Sequence, residues 1–347
     1  MTFSKKSLIL LLIALPFIQL ANAADIWFED SNLGTSHGMP ADFVEKFDRP
    51  ESFAKATRYI DVYLIRPNYL YQLDDYVLTS KLLPYLKRNK IKLAINAGGA
   101  NWTQKGAGRK KVFDSEIELF ERLKRLGFKV DYISLQSVLS KAPKKGGDKA
   151  EYPLEMRMED IVNYARAVRS IYPDVQVGII DALPSHSKDY RHPYLMLKNT
   201  LAHEKITLSY IHLDMPFDVP KSQKRGITWQ TVREVESFVE NELGIRFGLI
   251  ATTIRGGNTS SKAFHEGVLG SLQCYTGVQG TPGDFIIASW YAYPQQTVPE
   301  FATGDDYPSM RTVLEFGKKL DQIEKINGST SRQVARQFNW RSNCTPG

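Results

Sequence analysis

Eight short runs rich in apolar, β-branched and aromatic residues recur along this chain at nearly even intervals. No other feature limits the fold as much. They cover residues 25–30 (DIWFED), 59–65 (YIDVYLI), 92–97 (KLAINA), 131–137 (DYISLQS), 175–181 (VQVGIID), 210–216 (YIHLDMP), 246–252 (RFGLIAT) and 284–290 (DFIIASW), and their starts lie about 33 to 44 residues apart. Most are continuously apolar instead of strictly alternating, as expected of parallel strands buried on both faces.

Helical patterns fill the gaps. Residues 115–126 (SEIELFERLKRL) open with acids, close with Lys and Arg, and stop at Gly127. That order suits the helix dipole and a glycine C-terminal cap. Residues 158–171 carry apolar side chains at helical spacing and end before Pro173, while 228–243 start on a Thr cap and end at Gly244. Segments 74–90, 190–204, 261–275 and 308–326 also read as helices. Strand then helix, eight times, predicts a single α/β domain: a (β/α)8 TIM barrel over 24–347 with a C-terminal tail. A doubly wound open sheet is the rival. No Gly-x-Gly-x-x-Gly turn follows the first strand, which argues against a nucleotide-binding version.

The first 23 residues carry Lys5 and Lys6, then an almost wholly apolar run, then Ala21-Asn22-Ala23. This is the pattern of a secretory signal peptide, with an uncleaved anchor as the rival reading. A secreted or periplasmic protein is therefore expected, with no membrane span after cleavage. In an oxidising compartment Cys274 and Cys344 are expected to pair. The net charge is +7, and the basic residues cluster only near 105–111 and 141–149, among glycines. Those clusters lack interleaved aromatics, so nucleic acid is not an expected partner. Neither a His-Glu-x-x-His metal motif nor a Gly-x-Ser-x-Gly nucleophile elbow occurs, and no metal or cofactor is expected. A monomer is expected.

In such barrels, ligands meet the C-terminal ends of the strands. In order these ends offer Glu29 and Asp30, Arg66, Asn96, Gln136, Asp181, Asp214, Arg255, and Trp290 with Tyr291. Trp102 lies just beyond the third run. This is a polar ring with aromatic platforms, suited to hydrogen-bonding sugar hydroxyls and stacking on pyranose faces, so carbohydrate is the expected ligand. Asp181 and Asp214 end adjacent runs, roughly 5 to 10 Å apart at strand spacings near ~4.8 Å. They are the expected catalytic pair, with Glu29 as a third candidate. Rival readings make Asp181 a helix cap, Asp214 the partner of Arg66 or Arg255, and Trp290 a core residue.

The stretch KLAINAGG followed by Trp102 resembles the third strand of family 18 chitinase-type barrels, and Ser289-Trp290 resembles the Trp on their eighth strand. The resemblance implies a glycosidase-like barrel. It would place a general acid on strand 4 within Asp-x-x-Asp-x-Asp-x-Glu. Here those four positions are Asp131, Ser134, Gln136 and Val138, so the acid is missing. Two functions stay open: a glycoside hydrolase with displaced acids, and an inactive barrel that binds oligosaccharide.

Overall fold

The structure, a computed structural model, describes residues 24–32, 38–100, 107–139, 153–183, 189–301, 303–328 and 344. All eight predicted runs form strands: β1 Asp25–Glu29, β2 Val62–Ile65, β3 Lys92–Ala97, β4 Tyr132–Gln136, β5 Gln176–Ala182, β6 Leu208–Asp214, β7 Arg246–Ala251 and β8 Asp284–Ala288. Each pairs in parallel with the next, and β1 also pairs with β8 in register from Asp25↔Asp284 to Glu29↔Ala288. The sheet therefore closes into a ring without a free edge, and the open-sheet alternative is excluded.

A helix follows every strand. These are α1 Ala54–Thr57, α2 Leu83–Asn89, α3 Ala107–Arg125, α4 Leu154–Ile171, α5 Arg191–His203, α6 Trp229–Ser237, α7 Ser261–Gly277 and α8 Ser309–Gly328. The Thr228 cap is present: its Oγ1 accepts from the Thr231 amide in a reciprocal capping box. Gly127 sits at φ +83° just past α3, the left-handed conformation that a glycine stop supplies. Among the described residues, no helix is long and apolar enough to cross a membrane.

Two hydrophobic cores result. The larger lies between strands and helices; the smaller fills the barrel itself, with Trp27, Val62, Leu64, Ile180, Tyr210 and Ile286 among its members. Each fully buried side chain of this size contributes about 1.5–3 kcal/mol. Trp27 stands near the axis, its ring centroid 4.8 Å from Tyr132, 5.2 Å from Tyr210 and 4.6 Å from His212. Small residues on the inner face make room for these rings. A Cβ at Gly178 would lie 2.3 Å from the Tyr210 ring, and one at Gly248 would lie 2.5 Å from His212.

The N-terminal floor of the barrel is a charge cluster. Asp284 accepts from Trp27 Nε1 at 3.0 Å and Arg246 Nε at 2.9 Å, and pairs with His212 Nε2 at 3.1 Å. Burial alone would raise the Asp284 carboxyl, but the His212 and Arg246 contacts hold it below its usual value. Burial lowers His212 despite Asp284, which favours the neutral ring. His212 therefore serves the barrel floor through Nε2, while its Nδ1 is buried without a hydrogen-bond partner.

Candidate active site

Strand parity decides which strand-end residues reach the mouth, because successive side chains point to opposite faces. On β1, Trp27 points inward, so Glu29 does too. On β6, Tyr210 and His212 point inward, and Asp214 continues that face.

Glu29 is the hub. It is 2% exposed. Its Oε1 accepts from Arg66 Nε at 2.6 Å, and its Oε2 accepts from Trp290 Nε1 at 3.1 Å and Asn96 Nδ2 at 3.3 Å. Strands β1, β2, β3 and the segment after β8 thus meet on one carboxylate. The Arg66 guanidinium lies 5.7 Å from the Trp290 ring centroid, a cation–π contact. Burial would lower the Arg66 guanidinium, but Glu29 and, more weakly, Asp214 raise it overall.

Asp214 faces this hub. Burial first, and then the like charge of Glu29, push its carboxyl up to about 7 against the opposing pull of Arg66. Its Oδ1 is buried with no hydrogen-bond partner, although the residue as a whole is partly exposed. Tyr291 is half-buried beside it, its phenol raised by burial and by the charges of Asp214 and Asp218. Gln136 joins from β4, lining a cavity of about 400 Å3 with Arg66 and Asn96. Seven of the expected residues therefore belong to the mouth: Glu29, Arg66, Asn96, Gln136, Asp214, Trp290 and Tyr291. Trp290 is half-buried and packs against the barrel's inner core while donating to Glu29, so it is neither purely core nor purely platform.

Four expectations need revision or fall elsewhere. Asp181 is not paired with Asp214. In the β5–β6 register it sits beside Leu213, while Ala182 sits beside Asp214. It points outward to the helix layer, where burial first and then the Asp181 charge raise the Tyr194 phenol on α5. Asp30, one residue after Glu29, likewise points away from the mouth. It is 1% exposed and forms a buried ion pair with Lys46, accepting also from Tyr63 Oη at 3.0 Å and Thr297 Oγ1 at 2.8 Å. That is a structural network, not a sugar contact. Arg255 is exposed and lines a different cavity, of about 610 Å3, with Asp218, Lys221 and Thr253. It does not pair with Asp214; Asp214 feels Arg66 instead. Trp102 lies outside the described residues.

Glu116 on α3 was not anticipated. Its carboxylate accepts from the amides of Gly98 and Gly99 at 3.0 and 2.8 Å and from Tyr164 Oη at 2.5 Å. It anchors the turn that leaves β3 directly after Asn96. Burial raises its carboxyl, and these three donors oppose the rise. The available signal was the Gly-Gly pair itself: a Cβ at Gly99 would lie 2.6 Å from Tyr164 and 2.7 Å from Glu116 Oε2.

The strand-4 positions behave as their chemistry requires. Ser134 Oγ bonds Tyr210 Oη at 2.9 Å inside the barrel, and Val138 is core. Cys274 and Cys344 are disulfide-bonded. Among the described residues, no group of three or more His, Cys, Asp or Glu is placed to hold a metal ion.

No protein-family model matches the sequence, and no curated protein does. Solved structures do. Native xylanase 10B from Thermotoga maritima is 13% identical over 86% of this chain and 96% of that chain, with a TM-score of 0.51. Xylanase 10C from Cellvibrio japonicus, a mutant in complex with xylopentaose, is 9% identical over 86% and 68%, also at 0.51. A thermostable mutant xylanase from Cellvibrio japonicus is 11% identical over 86% and 97%, at 0.50. At such identities the likeness shows the fold alone. The protein is a closed (β/α)8 barrel, a fold it shares with these xylanases. The family 18 likeness suggested by the third and eighth strands is not shown; the three structures described above are xylanases.

Proposed function

We propose that the protein is a secreted carbohydrate-active enzyme that cleaves glycosidic bonds at the mouth of its barrel. The contrast between Glu29 and Asp214 carries this reading. Glycoside hydrolysis needs one carboxyl group to protonate the leaving oxygen and one carboxylate to attack or to activate water. An environment that raises one of the two carboxyl groups assigns it the acid's role. Asp214, raised to about 7, holds a proton near neutral pH and is the acid. Glu29, clamped by the Arg66 cation, is the anion facing it. Trp290 supplies an apolar ring for a pyranose face, and Asn96 and Gln136 supply hydrogen bonds for hydroxyls. Secretion rests on the signal-like first 23 residues.

A second reading, binding without cleavage, is favoured by one observation. Both Glu29 oxygens are already occupied by three donors, as in a carboxylate held for structure. Incubating the purified protein with a panel of oligosaccharides and analysing the products separates the two. The enzyme reading expects products, with Asp214→Asn and Glu29→Gln each slowing release by about 100-fold or more. Binding without products supports the second reading, and products formed at wild-type rate by both variants overturn the assignment.

A further inference from the structure

Beyond Asp214 and Glu29 the mouth extends into the cavity of about 400 Å3 on the β2–β4 side, within the usual range for a small-molecule site. Its walls come from the ends of β2, β3 and β4, from the short helix Pro67–Gln72 after β2 and from α3. Arg66, Asn68, Asn96 and Gln136 provide polar groups, and Tyr71, 45% exposed, provides an aromatic face at the rim. Lys111 on α3 is exposed and lines the same space.

The charge balance of this cavity is uneven. Its two cations are Arg66 and Lys111, and its one carboxylate is Glu116. Both Glu116 oxygens are turned to the Gly98 and Gly99 amides and Tyr164, so its acceptor positions are already engaged within the fold. Arg66 commits its Nε to Glu29, and a guanidinium carries four further N–H donors. Arg66 is ion-paired with Glu29, so a ligand entering here meets spare N–H donors on Arg66 and the positive charge of exposed Lys111, beside the Tyr71 ring.

We propose that this cavity is a subsite for an acidic sugar residue, one bearing a carboxylate or sulfate that pairs with Lys111 and Arg66 while its ring lies against Tyr71. The inference rests on the carbohydrate reading above and narrows its substrate class to anionic glycans. Charge-assisted hydrogen bonds of this kind are the stronger class and favour planar anions at Arg.

The test is a glycan array of uronate and sulfated oligosaccharides, each beside its carboxyl-reduced or desulfated neutral counterpart, probed with wild type and Lys111→Glu. Wild type is expected to bind at least one acidic member about tenfold tighter than its neutral counterpart. Lys111 is exposed, so the variant folds, and its preference is expected to vanish. The uronate and sulfate arms tell which anion is read. Equal binding of acidic and neutral counterparts overturns the acidic subsite and leaves the carbohydrate reading standing. An acidic preference that survives Lys111→Glu overturns its assignment to this cavity. Binding of no oligosaccharide overturns both.

Discussion

Asp214→Asn should stabilise the fold above neutral pH and leave it unchanged in acid. In the folded protein, burial and Glu29 move this carboxyl from 3.8 to about 7. Between the two protonation states that is worth about 4 kcal/mol. The residue is partly exposed, so solvent relaxation reduces the effect to about 2–4 kcal/mol. The sign follows from proton linkage. Below pH 4 both folded and unfolded chains hold the proton, and nothing is lost. Between about 4 and 7 the unfolded chain ionises while the folded one does not, so stability falls as pH rises. Above 7 both are ionised, and the folded protein carries the full cost of a buried charge beside Glu29. Asparagine never carries it. Urea unfolding of both proteins at pH 4, 6 and 8 reads the difference. The expected result is a stability gain for Asp214→Asn of about 2–4 kcal/mol at pH 8 that shrinks below about 0.5 kcal/mol at pH 4. A gain independent of pH, or a loss at pH 8, would refute the claim that Asp214 is held protonated near neutrality.

Three other perturbations test the framework around the site. Asp30→Ala removes the carboxylate that Lys46 donates to and leaves an amine that burial holds well below its usual pKa among Phe43, Phe47 and Tyr63; denaturant unfolding should show a loss of about 3–5 kcal/mol, whereas a neutral result would contradict a structural role for the Asp30–Lys46 pair. Gly178→Ala forces a methyl to within 2.3 Å of the Tyr210 ring, so the melting temperature should fall by an amount equivalent to about 1–3 kcal/mol; an unchanged melt would mean the barrel interior is looser than described. Reducing the Cys274–Cys344 bond opens a 70-residue separation and should lower stability by about 2–4 kcal/mol, read as a drop in melting temperature with added reductant and contradicted by identical curves.

The barrel was legible in the sequence because parallel strands buried on both faces appear as apolar runs, and eight of them at even spacing leave few architectures. The same property hid the facing of some strand ends. Along β5 (QVGIIDA) both faces are apolar, so nothing in the pattern says whether Asp181 or its neighbour points inward, and the assumed pairing with Asp214 failed on that one-residue parity. On β6 the interior face is marked by Tyr210, His212 and Asp214 at alternate positions, and there the inward carboxylate was found. Glu29 and Asp30 show the same ambiguity at β1, where adjacent acids take opposite roles. Glu116 left no periodic signal, since its partners Gly98 and Gly99 stand 18 and 17 residues earlier and only the folded helix returns it to them.

The most direct test of the central claim is a crystal structure of the Asp214→Asn protein with an oligosaccharide that the wild type cleaves. The account predicts a sugar ring against Trp290, with the bridging glycosidic oxygen within about 3 Å of the residue 214 amide and Glu29 facing the same anomeric centre. A saccharide seated instead in the cavity beside Arg255, or one whose bridging oxygen meets neither residue 214 nor Glu29, would contradict it.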